Sequence, residues 1–429
     1  MAEKKLSPQK GVVSGVIEVP GDKSISHRAV IFGSMANGIT EVSNFLDGED
    51  CMRTIDVFKS MGVTIEKNET NLIIHGKGVN ALKKPSNELY FGNSGTTARL
   101  LLGVLAGLPF QTYVTGDESL SKRPMNRVVS PLREMGAKIE AKGEENVLPL
   151  TIDQGQLSGI QYKLPVKSAQ VKSALLLAGL FANNSTKISE ITPTRDHTEH
   201  MLKAFGADIV KHELSTTITS NKQLKATNVT VPGDISSAAF LLVGAAIVPN
   251  SKLSISRVGL NETRTGIIDV FKKMGANIEI TNVVAINGEL IGDITISYKE
   301  LEATLIEGDV IPRLIDEIPI IALLATQANG TTIIKDSQEL RYKETDRIHA
   351  VVDVLSKLGA SIEGTEDGMI IHGKTQLIGG EVSAYHDHRI AMMASIASLI
   401  TRDEVILDDD SSIDISYPGF FQDLEKLLG

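Results

Sequence analysis

The sequence predicts an α/β protein of two domains, each assembled from three βαβαββ repeats of roughly 70 residues. Three observations predict it: a chain of 429 residues, a recurrent helix-ending signature, and an apolar signature interleaved with the first. A chain this long outgrows a single hydrophobic core and divides.

The first signature is an amphipathic helix closing on Met, Phe or Leu, then glycine, a small residue and a short strand. Its copies are VFKSMGVTIE, LREMGAKIE, LKAFGADIV, FKKMGANIE and LSKLGASIE, and the chain stops on LEKLLG. The closing glycines are Gly62, Gly136, Gly206, Gly275, Gly359 and Gly429. Glycine suits this place because helices often end on a left-handed residue, which costs it nothing sterically.

The second signature is a polar stretch followed by an apolar, alanine-rich helix. Its copies open on GDKSISHRA, GNSGTTARL, KSAQVKSAL, GDISSAAFL, LIDEIPIIA and HDHRIAMMA. Helices apolar nearly all round belong inside a domain. KISEIT, LSISRV and TIIKDS supply strands between the two helix types. Each repeat therefore reads strand, buried helix, strand, outer helix, strand, strand.

The sixth copy ends at Gly429 without its last strands, and the segment 11–20 is the candidate to complete it. Repeats one to three then occupy 21–231. Repeats four to six occupy 232–429 plus 1–20, with crossings near Pro20 and Val231 acting as a hinge. A linear stack of repeats leaves the sixth copy incomplete.

Bulk properties exclude several classes. A net charge of −10 argues against nucleic acid, which needs phosphate neutralisation over a broad face, but not against a small anion in a basic cleft. A single cysteine, Cys51, rules out an intrachain disulfide and a cysteine-rich metal site. The longest apolar run, 238–248, falls short of the ~20 residues of a membrane span. The N-terminus lacks the apolar core of a signal peptide, so a cytoplasmic protein is expected. His386 with His388, and His197 with His200, lack a third ligand nearby, and neither phosphate-loop nor dinucleotide glycine patterns occur. No metal or cofactor is expected.

The unusual residues stand where buried helices begin. Such ends present unpaired N–H groups and a positive dipole, and several brought together where two domains face each other form an anion site. Gly21-Asp22-Lys23-Ser24 precedes His27 and Arg28; alone it reads equally as a capped helix with a solvated basic turn. Recurrence favours the site reading. Gly92-Asn93-Ser94-Gly95 is a glycine-rich entry that lets backbone approach an anion, Ser168-Ala169-Gln170 with Lys172 adds donors, and Asp387-His388-Arg389 opens the sixth helix. GDISS reads as merely structural.

Outer helices begin with further cations: Arg123, Arg195, Arg264, and Lys343 with Arg347. Arginine meets carboxylate or phosphate with two parallel hydrogen bonds. Asp316 and Glu344 are the carboxylates that stand out here. Aspartate before an apolar helix commonly caps it, a role compatible with catalysis.

Together these residues resemble the EPSP synthase family over essentially the whole chain. The signatures are FGNSGTTARLL (91–101), RYKETDRIHAV (341–351), GDKS (21–24), SAQVK (168–172), RDHTE (195–199), NETR (261–264) and DHRIAM (387–392). SAQVK, RDHTE and NETR resemble the class II bacterial branch. The resemblance implies an inside-out α/β barrel fold and the activity of a 3-phosphoshikimate 1-carboxyvinyltransferase. That activity moves the enolpyruvyl group of phosphoenolpyruvate to the 5-hydroxyl of shikimate 3-phosphate and releases phosphate.

The resemblance further implies that Lys23, Ser24 and Arg28 contact the shikimate phosphate, with Lys23 also touching phosphoenolpyruvate. It places Ser168, Gln170 and Arg195 on the 3-phosphate side, and Gly95, Arg123, Gln170, Arg347 and Arg389 around phosphoenolpyruvate. Asn93 and Ala169 join the substrate-binding positions. Asp316 is implied to accept the hydroxyl proton, Lys343 to contact the shikimate, and Glu344 to move a proton at the enol carbon. Cations offset the repulsion between two anionic substrates without a metal, domain closure assembles them, and a monomer is expected. The segment 411–418 lacks the lysine some members carry, so no phosphoenolpyruvate contact is expected there. Position 95 is glycine where some class II members have alanine.

Two alternatives share features. The sister transferase acting on UDP-N-acetylglucosamine typically carries a loop cysteine, absent from 111–124 here. An RNA-end-processing protein on a related repeat conflicts with the acidic charge.

Overall fold

The computed structural model describes residues 3–8, 11–220 and 223–429; Met1, Ala2, Gln9 and Lys10, within the N-terminal stretch read above, lie outside them. The chain is a mixed α/β protein, and among the described residues its helices of eight residues or more form six pairs, inner then outer. They are α1 (Lys23–Met35) and α2 (Glu49–Ser60), α3 (Gly95–Leu105) and α4 (Asn126–Glu134), α5 (Ala169–Gly179) and α6 (His197–Ala204). Then follow α7 (Ile235–Ile247) and α8 (Gly266–Lys273), α9 (Ile318–Thr326) and α10 (Arg347–Lys357), α11 (His388–Ala397) and α12 (Phe420–Leu428). Among the described residues no helix is long and apolar enough to cross a membrane.

The chain divides into two compact halves. One comprises Gly21–Val231 with Ile286–Glu289; the other comprises Met1–Pro20, Pro232–Ala285 and Leu290–Gly429. Each half has its own hydrophobic core. All 13 residues of α7 are buried, as its uniform apolarity requires. Each buried leucine or isoleucine contributes roughly 1.5–3 kcal/mol. In the second half α7, α9 and α11 pack against one another.

The sheets repeat one pattern. In the second repeat Leu89–Tyr90 runs parallel to Thr112–Thr115 across α3, and Val147–Asp153 and Lys138–Lys142 follow antiparallel. The outer helices close on left-handed glycines: φ is +89° at Gly62, +100° at Gly136, +82° at Gly206, +78° at Gly275 and +89° at Gly359. An L side chain there would meet its own backbone.

Two repeats depart from this pattern. Ser14–Glu18 precedes α1 yet pairs in parallel with Lys252–Gly259 of the fourth repeat, and Val229–Thr230 precedes α7 yet pairs in parallel with Asn37–Ser43 of the first. Each half thus takes its leading strand from chain preceding the other half's first inner helix. The segment 11–20 therefore does not complete the sixth repeat. Lys4–Leu6 does so, antiparallel to Val405–Leu407, with the Lys4 ammonium 3.4 Å from Asp410 and over the Phe421 ring. Ser14–Glu18 instead joins the fourth sheet, next to which Val13 N–H donates to Ser251 Oγ at 2.8 Å.

Candidate active site

Five of the six inner helices carry a side-chain cap. Asp22, Ser94, Ser168, Asp234 and Asp387 accept from Ile25, Thr97, Val171, Ser236 and Arg389 N–H respectively. The exception is α9. Asp316 is not its N-cap: Glu317 precedes the helix in αR geometry and makes no capping bond. A helical turn at Ile311–Leu314 runs into this point and leaves no extended cap residue.

In the first half, α1 begins with Lys23, whose ammonium lies 3.0 Å from Asp50 Oδ2. One turn on, Arg28 is buried and fully directed: Nε donates to Thr198 Oγ1 at 2.7 Å, Nη1 to the Ser24 carbonyl at 2.9 Å and Nη2 to Ser173 Oγ at 2.9 Å. It joins the mouths of α1, α5 and α6. Between these residues His27 is fully buried, its Nδ1 2.8 Å from Thr54 Oγ1. Burial, then Lys23 and Arg28, hold its pKa well below the usual histidine value.

At α3, Gly95 sits against two guanidinium groups. A Cβ there would lie 2.9 Å from Arg99 Nη1 and 3.2 Å from Arg123 Nη1. Arg99 Nη1 donates to Gln170 Oε1 at 2.9 Å, and Gln170 Nε2 donates to Thr96 Oγ1 at 3.2 Å. Arg123 donates to Asn93 Oδ1, and to Ser119 Oγ at 3.3 Å. So Asn93, Gly95, Arg123 and Gln170 form one cluster. Ser168 and Ala169 open α5, and Arg195 is half-buried just before α6.

The second half holds the carboxylates. Arg347, only 1% exposed, donates from Nε to Asp387 Oδ2 at 2.8 Å, from Nη2 to Glu344 Oε2 at 2.6 Å, and from Nη1 to Asp316 Oδ1 at 3.3 Å. Burial works against its charge, but Asp387, Glu344 and Asp316 outweigh that and push its pKa up. Lys343 Nζ lies 3.7 Å and Arg389 Nε 4.0 Å from the same Asp316 oxygen. Three cations thus surround one carboxylate oxygen, an arrangement that favours the ionised form. Lys343, Glu344, Asp316, Arg347 and Arg389 form the second cluster. Arg264 braces α7: it donates to Asp234 Oδ1 at 3.0 Å and Ser236 Oγ at 2.7 Å.

Sequence reasoning passed over Arg99 and Asp50, which touch predicted site residues directly. Arg99 lies one helical turn after Gly95, and that spacing was the available signal. Asp50 carried none, because its contact with Lys23 spans 27 residues. His197 and His200 do pair, but on a carboxylate: both Nδ1 atoms meet Glu289 Oε1, at 2.9 and 3.2 Å.

With this geometry in hand, known proteins give the family. The family described as EPSP synthase (3-phosphoshikimate 1-carboxyvinyltransferase) matches residues 8–424. The 3-phosphoshikimate 1-carboxyvinyltransferase of Oceanobacillus iheyensis is 60% identical over 423 residues, 99% of each chain. That of Bacillus subtilis strain 168 is 54% identical over 414 residues, 96% of this chain and 97% of its own. A solved EPSP synthase from Acinetobacter baumannii superposes with a TM-score of 0.89 at 44% identity, covering 100% of this chain and 98% of that one. A match that runs through both halves and all the clustered motifs leaves one conclusion: the chain belongs to the EPSP synthase family.

Proposed function

We propose that the chain transfers the enolpyruvyl group of phosphoenolpyruvate to the 5-hydroxyl of shikimate 3-phosphate, releasing phosphate. The observation that carries this reading is Asp316, with Arg347, Lys343 and Arg389 all within 4.0 Å of its Oδ1. A carboxylate held charged among cations is a base ready for a hydroxyl proton, provided substrate brings that hydroxyl within hydrogen-bond reach.

In this reading Asp316 takes the proton as the hydroxyl oxygen bonds to the enol carbon. Glu344 carries a proton to the methylene carbon and takes one back from the resulting methyl group as phosphate leaves, which restores the double bond; the hydroxyl proton held on Asp316 departs with the phosphate. Lys23, Asn93, Gly95, Arg123, Gln170, Arg347 and Arg389 serve phosphoenolpyruvate; Lys23, Ser24, Arg28, Ser168, Ala169, Gln170, Arg195 and Lys343 serve shikimate 3-phosphate. Holding two anions in register contributes about 7–11 kcal/mol to the rate, and fixed cations stabilise charge as it develops. Arg347 also sets the spacing of Asp316 and Glu344, because it bonds both.

Class II membership is supported by SAQVK, RDHTE and NETR, and an inside-out barrel in each half by three sheets accompanying three buried helices. The enzyme is read as a cytoplasmic monomer, working where its phosphorylated substrates are made.

Purified protein is expected to release phosphate from phosphoenolpyruvate only when shikimate 3-phosphate is also present. No release with that pair, or release with UDP-N-acetylglucosamine instead, overturns the reading.

A further inference from the structure

Lys172 is assigned no role in the chemistry above, yet its side chain is 0% exposed. An ammonium group in a protein interior is costly unless every donor is matched. Here the ammonium donates to Glu190 Oε2 at 3.0 Å and to the Thr194 carbonyl at 3.3 Å, and it forms an ion pair with Glu199 Oε1 at 2.7 Å.

Those acceptors share one segment. Glu190 follows the strand Thr186–Ser189, Thr194 precedes Arg195, and Glu199 lies in the first turn of α6. Glu190 Oε1 in turn accepts from Thr194 N–H at 3.1 Å and from the Thr194 hydroxyl. The loop is thereby closed on itself around the ammonium. Next to Lys172, Ser173 Oγ meets Thr198 Oγ1 at 2.7 Å, and Arg28 donates to both hydroxyls. Two consecutive residues of α5 therefore grip two consecutive residues of α6.

At the other end of the same turn of α5 stand Ser168, Ala169 and Gln170, and Lys172 N–H donates to the Ser168 carbonyl at 3.2 Å. We propose that Lys172 is a positioning residue for shikimate 3-phosphate: it clamps the 190–199 segment to α5 and so sets Arg195 against Ser168 and Gln170. The ammonium also offsets part of the negative charge of Glu190 and Glu199, which would otherwise repel the phosphate more strongly. A methionine of similar length fills the volume but supplies neither effect. The inference rests on the functional reading above, and it concerns one substrate only.

Calorimetric binding of shikimate 3-phosphate, with KM for both substrates, tests it. Folded Lys172→Met is expected to bind shikimate 3-phosphate roughly ten- to a hundredfold more weakly, with KM for phosphoenolpyruvate within about threefold of wild type. Lys172→Arg, which keeps the charge and the donors, is expected to recover most of the loss. Unchanged shikimate 3-phosphate affinity in folded Lys172→Met, or equal losses for both substrates, overturns the proposal. Should the methionine variant not fold, Thr194→Val removes the hydroxyl bond to Glu190 without emptying space. It is expected to weaken the same substrate severalfold, and no change overturns the proposal. Wild-type protein that binds no shikimate 3-phosphate overturns the functional reading instead, a different result from binding that survives in the variants.

Discussion

Arg347 grips Asp387 through two nitrogens, Nε to Oδ2 at 2.8 Å and Nη2 to Oδ1 at 3.3 Å, and both residues are essentially solvent-free. Asp387 also caps α11 by accepting from Arg389 N–H at 2.9 Å. One carboxylate thus orients the cation that bonds Asp316 and Glu344, and starts the helix that carries Arg389.

Asp387→Asn separates these tasks, because asparagine caps well but carries no charge. Arg347 would stay buried with one anion fewer. A cost of about 3 kcal/mol is expected, since breaking a buried pair leaves a desolvated charge behind. Thermal melts should show a clear drop in Tm, and Asp387→Ala should fall about 1 kcal/mol further through the lost cap. Equal melts for Asn and wild type would falsify the structural role of the pair.

Asp316→Ala is expected to keep substrate binding and lose turnover. Removing a positioned general base costs about 10²–10⁴ in rate. KM values should change little, because Arg347 and Lys343 keep Glu344 and Glu339 as partners. Steady-state kinetics decide it. Turnover near wild type would leave Asp316 as a counter-ion and nothing more.

How far could residues alone reveal this? The buried helices were legible because α7 and α9 are apolar on every side, and the outer helices because their closing glycines need positive φ. Asp316, Arg347 and Arg389 stood out as charged residues close to helix starts, and the structure brings all three into one cluster. Strand exchange was not legible: the local pattern of Ser14–Glu18 is the same whichever sheet it joins, and pairing with Lys252–Gly259 is decided by tertiary context. Nor was the exact place of the α9 start, because the helical turn at Ile311–Leu314 removes the extended cap that aspartate before an apolar run ordinarily signals. Asp50 and Glu190 act through long-range side-chain contacts that no periodicity encodes.

Gly95→Ala tests the two guanidinium groups beside it. The nearest atoms to an added methyl are Arg99 Nη1 at 2.9 Å and Arg123 Nη1 at 3.2 Å, both at the ends of flexible side chains. They can move aside at little cost in folding, so stability should stay within about 0.5 kcal/mol. Their aim at a bound anion changes, however. KM for phosphoenolpyruvate is expected to rise by about tenfold, with shikimate 3-phosphate binding nearly unchanged. An unaltered phosphoenolpyruvate KM would show that neither guanidinium touches that substrate.

His27 and His200 should give the acid limb of stability two opposed components. Burial, then Lys23 and Arg28, keep His27 neutral in the fold well below its ordinary value of 6.5. As pH falls below 6.5 the unfolded chain gains a proton that the native state refuses, so stability drops, with a slope approaching 1.4 kcal/mol per pH unit. His200 runs the other way. Its hydrogen bond to Glu289, against partial burial and helped by Asp196, raises its pKa above 6.5. That stabilisation is complete below 6.5 and fades as pH rises through the folded value. Urea unfolding across pH 5 to 9 (a range of about two units either side of neutrality) separates them. His27→Gln is expected to flatten the loss of stability in acid, since glutamine keeps a donor for Thr54 and does not titrate. His200→Gln is expected to be less stable than wild type at the acid end and equal to it at the alkaline end. An unchanged acid slope in His27→Gln would mean that the native state does admit a proton at His27, and that the Thr54–Thr97 hydroxyl chain behind it rearranges to accommodate it.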